Sequence, residues 1–126
     1  MIMLDTSVLI EALRATDKTS TLLHTVATEG DVLAVSSVTV YEFRNGITKA
    51  NQVLCEQMLN TLSVCAFDDD AARIASTIYR SLKSQSSLIE IADILIAATA
   101  LANNLPLATL NIRHFQRIHG LTLITA

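Results

Sequence analysis

The sequence has very little of what stabilises small disulfide-rich domains or forms flexible linkers. It contains two cysteines, one proline, three glycines and no tryptophan in 126 residues. Cys55 and Cys65 lack the spacing of a metal site and suggest no disulfide framework, so we expect both to be small buried residues in a reducing compartment. No low-complexity segment or repeat divides the chain, and we expect a single domain over residues 1–126.

Long apolar runs and a surplus of basic residues are missing as well. The longest nearly apolar stretch, residues 91–102, is much shorter than the roughly 20 residues that a membrane-spanning helix needs. The first residues, MIMLDTS, lack the basic start and long apolar core of a secretory signal. We therefore expect a cytoplasmic protein that is not attached to a membrane. A net charge of −3 argues against a strongly basic nucleic-acid binder, although a metal ion beside clustered carboxylates still permits binding.

Aliphatic residues are what the sequence has in abundance. Hydrophobic residues make up 51% of the chain and the mean hydropathy is +0.44, enough for one well-buried core. Short apolar runs alternate with helical patterns, so we predict a three-layer α/β/α sandwich with a central, mostly parallel five-stranded sheet. The strands are predicted at 2–4, 32–36, 63–67, 107–109 and 121–124, and the helices at 8–14, 19–28, 38–46, 52–62, 69–83 and 91–103, with a helical turn at 111–117.

Local capping signals mark the start of several helices. Thr6 or Ser7 is predicted to cap the first helix, and Ser37 the helix that carries the motif YEF. Ser87 and Glu90 match a capping box in front of the apolar helix at 91–103.

Three carboxylates occupy positions that suggest chemistry. Asp5 follows the first apolar run, Glu42 lies in the helix after the second predicted strand, and Asp93 interrupts an otherwise apolar helix. Alone, Asp5 is explained as a helix cap and Asp93 as an acid favoured by the helix dipole. Glu42 alone is explained as an exposed partner of Arg44 or Lys49. Together, at the carboxyl edge of a parallel sheet, the three acids are better explained as hard oxygen ligands for Mg²⁺ or Mn²⁺.

Four motifs make the chain resemble the PIN-domain nucleases, and within them the VapC-type toxins of bacterial toxin–antitoxin pairs. They are D-T-S at 5–7, Y-E-F at 41–43, D-x-L-I-A-A at 93–98 and T-x-N-x-x-x-F at 109–115. The resemblance covers nearly the whole chain and implies a PIN-like fold. It also implies a divalent-metal-dependent endoribonuclease that acts as a toxin and hydrolyses RNA phosphodiester bonds. The implied partners are a cognate antitoxin, an RNA substrate (tRNA, rRNA or mRNA), a second copy in a homodimer, and operator DNA reached only through the antitoxin.

The resemblance also implies a role for each matching position. Asp5, Glu42 and Asp93 would bind the metal ion and, with Asn111, form the catalytic set. The hydroxyl residues that would orient these groups are Thr6, Ser7 and Thr109.

One position departs from the family pattern. His114 stands where many relatives have a fourth acid, which favours a site with one metal ion or a weak second one. The histidine could instead contact phosphate or a bridging water, or be a surface residue beside Phe115. Arg44, Arg113 and Arg117 are candidates for phosphate contacts, or alternatively solvated surface charges.

Three other functions remain open on the sequence alone. A phosphatase of the haloacid dehalogenase type needs a second aspartate two residues after the first, where Ser7 stands here. A PIN-like binding module with weak catalysis, acting on a partner or operator DNA, is favoured slightly by the missing fourth acid and opposed by the three intact ones. The third alternative is an RNA-processing nuclease outside any toxin–antitoxin pair.

Overall fold

Five short strands form the middle layer of the protein. The structure is a computed structural model, and it describes residues 1–126. The strands are β1 (Ile2–Leu4), β2 (Leu33–Ser36), β3 (Ser63–Cys65), β4 (Leu107–Ala108) and β5 (Leu123–Ile124). They lie in the order β3-β2-β1-β4-β5, and all four pairings are parallel. The predicted five-stranded, mostly parallel sheet is therefore confirmed, with β1 in its centre.

Seven α-helices cover the sheet. They are α1 (Thr6–Arg14), α2 (Leu22–Thr28), α3 (Ser37–Gly46), α4 (Gln52–Asn60), α5 (Asp69–Ser84), α6 (Ile91–Ala102) and α7 (Ile112–Phe115), with 3₁₀ turns at Lys18–Ser20 and Lys49–Asn51. None of these helices combines the length and the apolar composition needed to cross a bilayer.

The alternation of side chains along β1 separates two apolar cores. Successive residues of a strand point to opposite faces of the sheet. Met3 accordingly packs with Ile96 and Phe115 in the core beneath α5 and α6. Leu4 packs on the other face, in the core that also contains Val8, and each face has its own helical cover. This arrangement confirms the predicted three layers.

The structure shows the positions of both cysteines and of the cap of α1. Cys55 is buried, Cys65 is half-buried, and both are free thiols. Asp5, not Thr6 or Ser7, caps α1, because its extended backbone ends β1 and its carboxylate accepts a hydrogen bond from the Thr6 amide.

The cap of α3 is likewise one residue earlier than predicted. Ser36 ends β2 in an extended conformation, and its hydroxyl accepts a hydrogen bond from the Val38 amide. Ser37 is the first helical residue instead, and its Oγ accepts a hydrogen bond from the Phe67 amide at 3.0 Å. This bond ties the start of α3 to the segment after β3.

Two further sequence predictions are wrong. The predicted helix at 19–28 is divided: Thr21 caps α2 by accepting from the His24 amide, and a separate 3₁₀ turn precedes it. The capping box of Ser87 and Glu90 does not form, since Glu90 precedes α6 without a side-chain capping bond. Arg117 Nη1 instead donates to the Ser87 and Leu88 carbonyls and holds this connection in place.

Candidate active site

Asp5 lies at the carboxyl end of the central strand and is held by three donors. Its Oδ1 accepts from the Thr6 amide at 2.7 Å, and its Oδ2 accepts from Ser7 Oγ at 2.7 Å and Thr109 Oγ1 at 2.8 Å. The residue is only 3% exposed. A buried carboxylate needs such hydrogen bonds, so the hydroxyls of the motifs D-T-S and T-x-N support the charge of Asp5. Ser7 and Thr109 also bind the loop after β4, at the amides of Leu110 and Asn111.

Glu42 is attached to the same site through the residue that follows Asp5. Thr6 Oγ1 donates to Glu42 Oε1 at 2.8 Å and lies 3.2 Å from Thr39 Oγ1. Thr39 of α3 is fully buried where it faces Thr6 of α1, whereas Glu42 is half-buried. The sequence predicted that Thr6 and Glu42 belong to the same site, but it did not predict the direct hydrogen bond between them.

The alternative explanation of Glu42 as a partner of Arg44 is wrong. Arg44 forms a two-pronged pair with Glu56 of α4, with Nε–Oε1 and Nη2–Oε2 distances of 3.0 Å. The guanidinium thus has a partner on a neighbouring helix, on the exposed surface.

Asp93 enters the site from the first turn of α6 and has different surroundings. Its Oδ2 lies 2.7 Å from His114 Nδ1 and 3.4 Å from Asn111 Nδ2. Burial raises the pKa of Asp93 above its ordinary value; the hydrogen bond with His114 partly opposes this, and the charge of Asp5 raises it further. The two aspartates therefore act on each other electrostatically, although 88 positions separate them in the sequence.

His114 is the site residue whose environment the sequence did not predict. Its side chain is 31% exposed and directed at Asp93, whose own side chain is 14% exposed, so the description as a surface histidine is wrong. Asn111 Nδ2 also lies 2.9 Å from His114 Nδ1, which joins the three residues in one network. The fully buried Phe115 fixes α7 in the core and thereby sets the position of His114. The one signal in the sequence was its place in the motif T-x-N-x-x-x-F.

The remaining predicted phosphate ligands lie outside this network. Arg113 is exposed on α7 next to His114. Arg117 is occupied by the carbonyls of Ser87 and Leu88, on the connection between α5 and α6.

The donor set fits a hard divalent cation bound by two carboxylates. The charge of Asp5 disfavours the charged form of Asp93, and a cation bound by both carboxylates would offset this unfavourable interaction. No three side chains of the His, Cys, Asp or Glu type lie close enough to bind one ion together. Mg²⁺ is commonly held by only one or two carboxylates and keeps several waters, so the pair is sufficient and Glu42 would act through water.

Comparison with known proteins identifies the family. The PIN domain model matches residues 2–121, and the chain therefore belongs to the PIN-domain family. The site just described uses the residues of all four motifs that carried the resemblance.

Within that family, its relatives are ribonucleases of the VapC type. The chain is 34% identical over 121 residues to Ribonuclease VapC10 of Mycobacterium tuberculosis, covering 96% of this chain and 90% of that protein. It is 39% identical over 89 residues to Ribonuclease VapC1 of Methanocaldococcus jannaschii, but that match spans 68% of this chain and 63% of that protein. The structure has a TM-score of 0.89 to a chain of VapBC2 from Rickettsia felis bound to a DNA fragment from their promoter, at 26% identity and covering 100% of this chain and 99% of that chain.

These relatives confirm the predicted fold class and the predicted ribonuclease of the toxin–antitoxin type. They leave the phosphatase alternative without support. Ser7, which stands where that mechanism needs a second aspartate, donates a hydrogen bond to Asp5 instead.

Proposed function

We propose that the chain is a divalent-metal-dependent endoribonuclease, the toxin of a toxin–antitoxin pair, and that Asp5, Glu42, Asp93 and Asn111 carry its activity. The observation that supports this most directly is the convergence of Asp5 and Asp93 from distant elements: Thr109 Oγ1 donates to Asp5 and accepts from the Asn111 amide, and Asn111 Nδ2 lies 3.4 Å from Asp93 Oδ2. Two carboxylates in such a position are costly to the fold unless function uses them. In this proposal residues 1–126 form one catalytic domain.

Mg²⁺ or Mn²⁺ is the proposed cofactor, held by Asp5 and Asp93. Divalent-metal dependence is general among PIN-domain ribonucleases of the VapC type. When bound, the ion neutralises charge on the scissile phosphate and lowers the pKa of a bound water. His114, in the fourth-acid position, pairs with Asp93 and adds no third carboxylate beside it, which supports a site with one ion rather than two.

The other side chains of the site accept a proton or orient the two aspartates. Glu42 has one oxygen engaged by Thr6, so its other oxygen, Oε2, accepts the proton of the attacking water. Ser7 and Thr109 hold the carboxylate of Asp5 in a fixed orientation. Asn111 and His114 do the same for Asp93 and keep it from rotating away from the substrate phosphate.

The partners proposed for this chain follow its relatives. A cognate antitoxin is supported by the likeness to chains of VapBC complexes, and DNA contact is expected only through that antitoxin. RNA is the proposed substrate, Arg113 is the most accessible candidate for a phosphate contact, and a homodimer is the proposed assembly. Localisation in the cytoplasm stays a prediction.

RNA cleavage by the purified chain, free of any antitoxin, tests the proposal. Cleavage should require Mg²⁺ or Mn²⁺, stop with EDTA, and be lost in Asp93→Asn. Asp70→Asn is the matched control, since Asp70 is an exposed acid in the first turn of α5. Binding of Mn²⁺, followed by electron paramagnetic resonance without RNA, should weaken in Asp93→Asn and not in Asp70→Asn. Equal cleavage by Asp93→Asn and the parent chain would refute the proposed site.

A further inference from the structure

A groove adjoins the acid site, and apart from Glu42 none of its lining residues takes part in the proposed chemistry. It lies between α3 and α6, has a volume of about 500 Å³, and includes Glu42 in its wall. Phe67, Ile91 and Leu95 supply apolar surface, and none of the lining residues is a lysine or an arginine. The groove therefore suits an uncharged, flat, apolar group better than a phosphate.

Tyr41 is the exposed aromatic residue of this groove. The residue is 66% exposed, and Ile91 on the opposite helix is 69% exposed. Asn45 Nδ2, one helical turn further on, lies 3.3 Å from the Tyr41 hydroxyl and orients the ring. Unpaired bases stack on exposed aromatic rings of this kind.

We infer that this groove binds an unpaired nucleobase of the RNA substrate, stacked on the ring of Tyr41. The inference rests on the proposed ribonuclease function and adds to it a subsite for single-stranded RNA. Glu42 forms a wall common to the acid site and the groove, so a nucleotide next to the scissile phosphate can reach it. A second copy of the chain that filled the groove would also bury the Glu42 carboxylate, which is costly unless a cation is buried with it.

The first experiment measures binding of a short, unpaired, fluorescently labelled RNA by anisotropy in EDTA, with the intact probe verified on a gel. Tyr41→Ala should weaken binding about 5- to 140-fold, the range for the loss of one base–aromatic stack. Tyr41→Phe should bind as the parent chain does, since a phenyl ring also stacks. Tyr79→Ala is the matched control, because Tyr79 is the only other tyrosine and lies on α5, away from the groove.

The second experiment uses the intrinsic fluorescence of the groove tyrosine. The chain has two tyrosines and no tryptophan, so Tyr41 is the sole strong emitter in Tyr79→Phe. The same RNA should quench this emission at saturation, whereas ribose 5-phosphate, which has no base, should not. The corresponding emission of Tyr79 in Tyr41→Phe should stay unchanged after correction for absorption by the RNA.

Three outcomes would overturn the inference. If Tyr41→Ala binds RNA with unchanged affinity while the parent chain cleaves RNA, the subsite is wrong and the ribonuclease proposal stands. If Tyr41→Ala converts a dimer into a monomer without changing affinity per chain, by analytical ultracentrifugation, the groove contacts a second copy. If the parent chain neither binds nor cleaves RNA, the inference fails together with the proposed function.

Discussion

The two aspartates of the site are held in different ways. Asp5 belongs to the sheet: it ends the central strand, is buried, and accepts hydrogen bonds from Thr6, Ser7 and Thr109. Asp93 belongs to the helical layer, and its single engaged oxygen faces His114 with Asn111 beside it. The fold thus builds Asp5 into its framework, whereas Asp93 is kept in place against a desolvation penalty that raises its pKa.

The partners of the two aspartates differ in how much they contribute to the fold. The donors around Asp5 also connect β1 to the loop after β4, so removing them should affect the fold as well as the site. The partners of Asp93 lie on the short helix α7 and at its start, and they serve mainly the carboxylate itself. Substitutions of the partners of Asp5 should therefore destabilise the protein more than substitutions of the partners of Asp93, even where both reduce activity equally.

Removal of either carboxylate should give the largest effect. Asp5→Asn and Asp93→Asn should each lower the rate of RNA cleavage by about 100- to 10,000-fold, because each removes a proposed metal ligand and the several kcal/mol of charge stabilisation that depend on it. Single-turnover cleavage rates at saturating Mn²⁺ measure this. The comparison predicts a second difference: Asp5→Asn should also lower the melting temperature, because it removes the acceptor that two hydroxyls share. A stable Asp5→Asn with full activity would contradict both statements.

The residues that orient the acids should have smaller effects. Thr109→Val and His114→Ala should each reduce cleavage about 10- to 100-fold, as expected for groups that orient metal-binding side chains. Thr109→Val should also reduce the free energy of unfolding by about 1–3 kcal/mol, because it leaves buried polar groups without partners. Urea denaturation compares the two variants, with Thr77→Val on the exposed face of α5 as control. Equal losses of stability in Thr109→Val and His114→Ala would remove the distinction between the two sides.

Much of the framework could be predicted from the sequence because it depends on local pattern. The apolar run before Asp5 indicated a buried strand, and an acid among the isoleucines and alanines of α6 indicated a functional position. The carboxyl-edge rule for parallel sheets then placed both aspartates at one end of the sheet. These inferences need only periodicity and the direction of the strands.

The contacts inside the site could not be predicted in this way. The pairing of His114 with Asp93 depends on how Phe115 docks in the core, and no local pattern carries that information. The pair of Arg44 with Glu56 depends on the packing of α3 against α4. The local capping signal at Ser87 also failed, and the carbonyl of Ser87 accepts a hydrogen bond from the distant Arg117 instead.

The raised pKa of Asp93 predicts how stability depends on pH in the metal-free protein. A carboxyl group whose pKa is higher in the folded than in the unfolded state stabilises the fold when protonated, at low pH. That contribution is lost as the pH rises from the unfolded to the folded pKa. Asp93→Asn, which can still accept from His114, should therefore melt at a higher temperature than the parent chain at pH 7 in EDTA. The difference should shrink below pH 4, near the ordinary pKa of aspartate, about 3.9; calorimetry that shows the same difference at both pH values would refute this origin.

The smallest effect on stability and activity is expected for the ion pair between Arg44 and Glu56. Arg44 and Glu56 are both exposed, so Arg44→Gln should change the free energy of unfolding by less than about 1 kcal/mol. Cleavage of RNA should also be nearly unchanged, since Thr6 rather than Arg44 holds Glu42. Thr6→Val is the informative counterpart, because it removes the hydroxyl that donates to Glu42 while keeping the shape of the side chain. If Arg44→Gln impairs cleavage as strongly as Thr6→Val does, Arg44 contacts the RNA, and the acid site extends across α3 to that guanidinium.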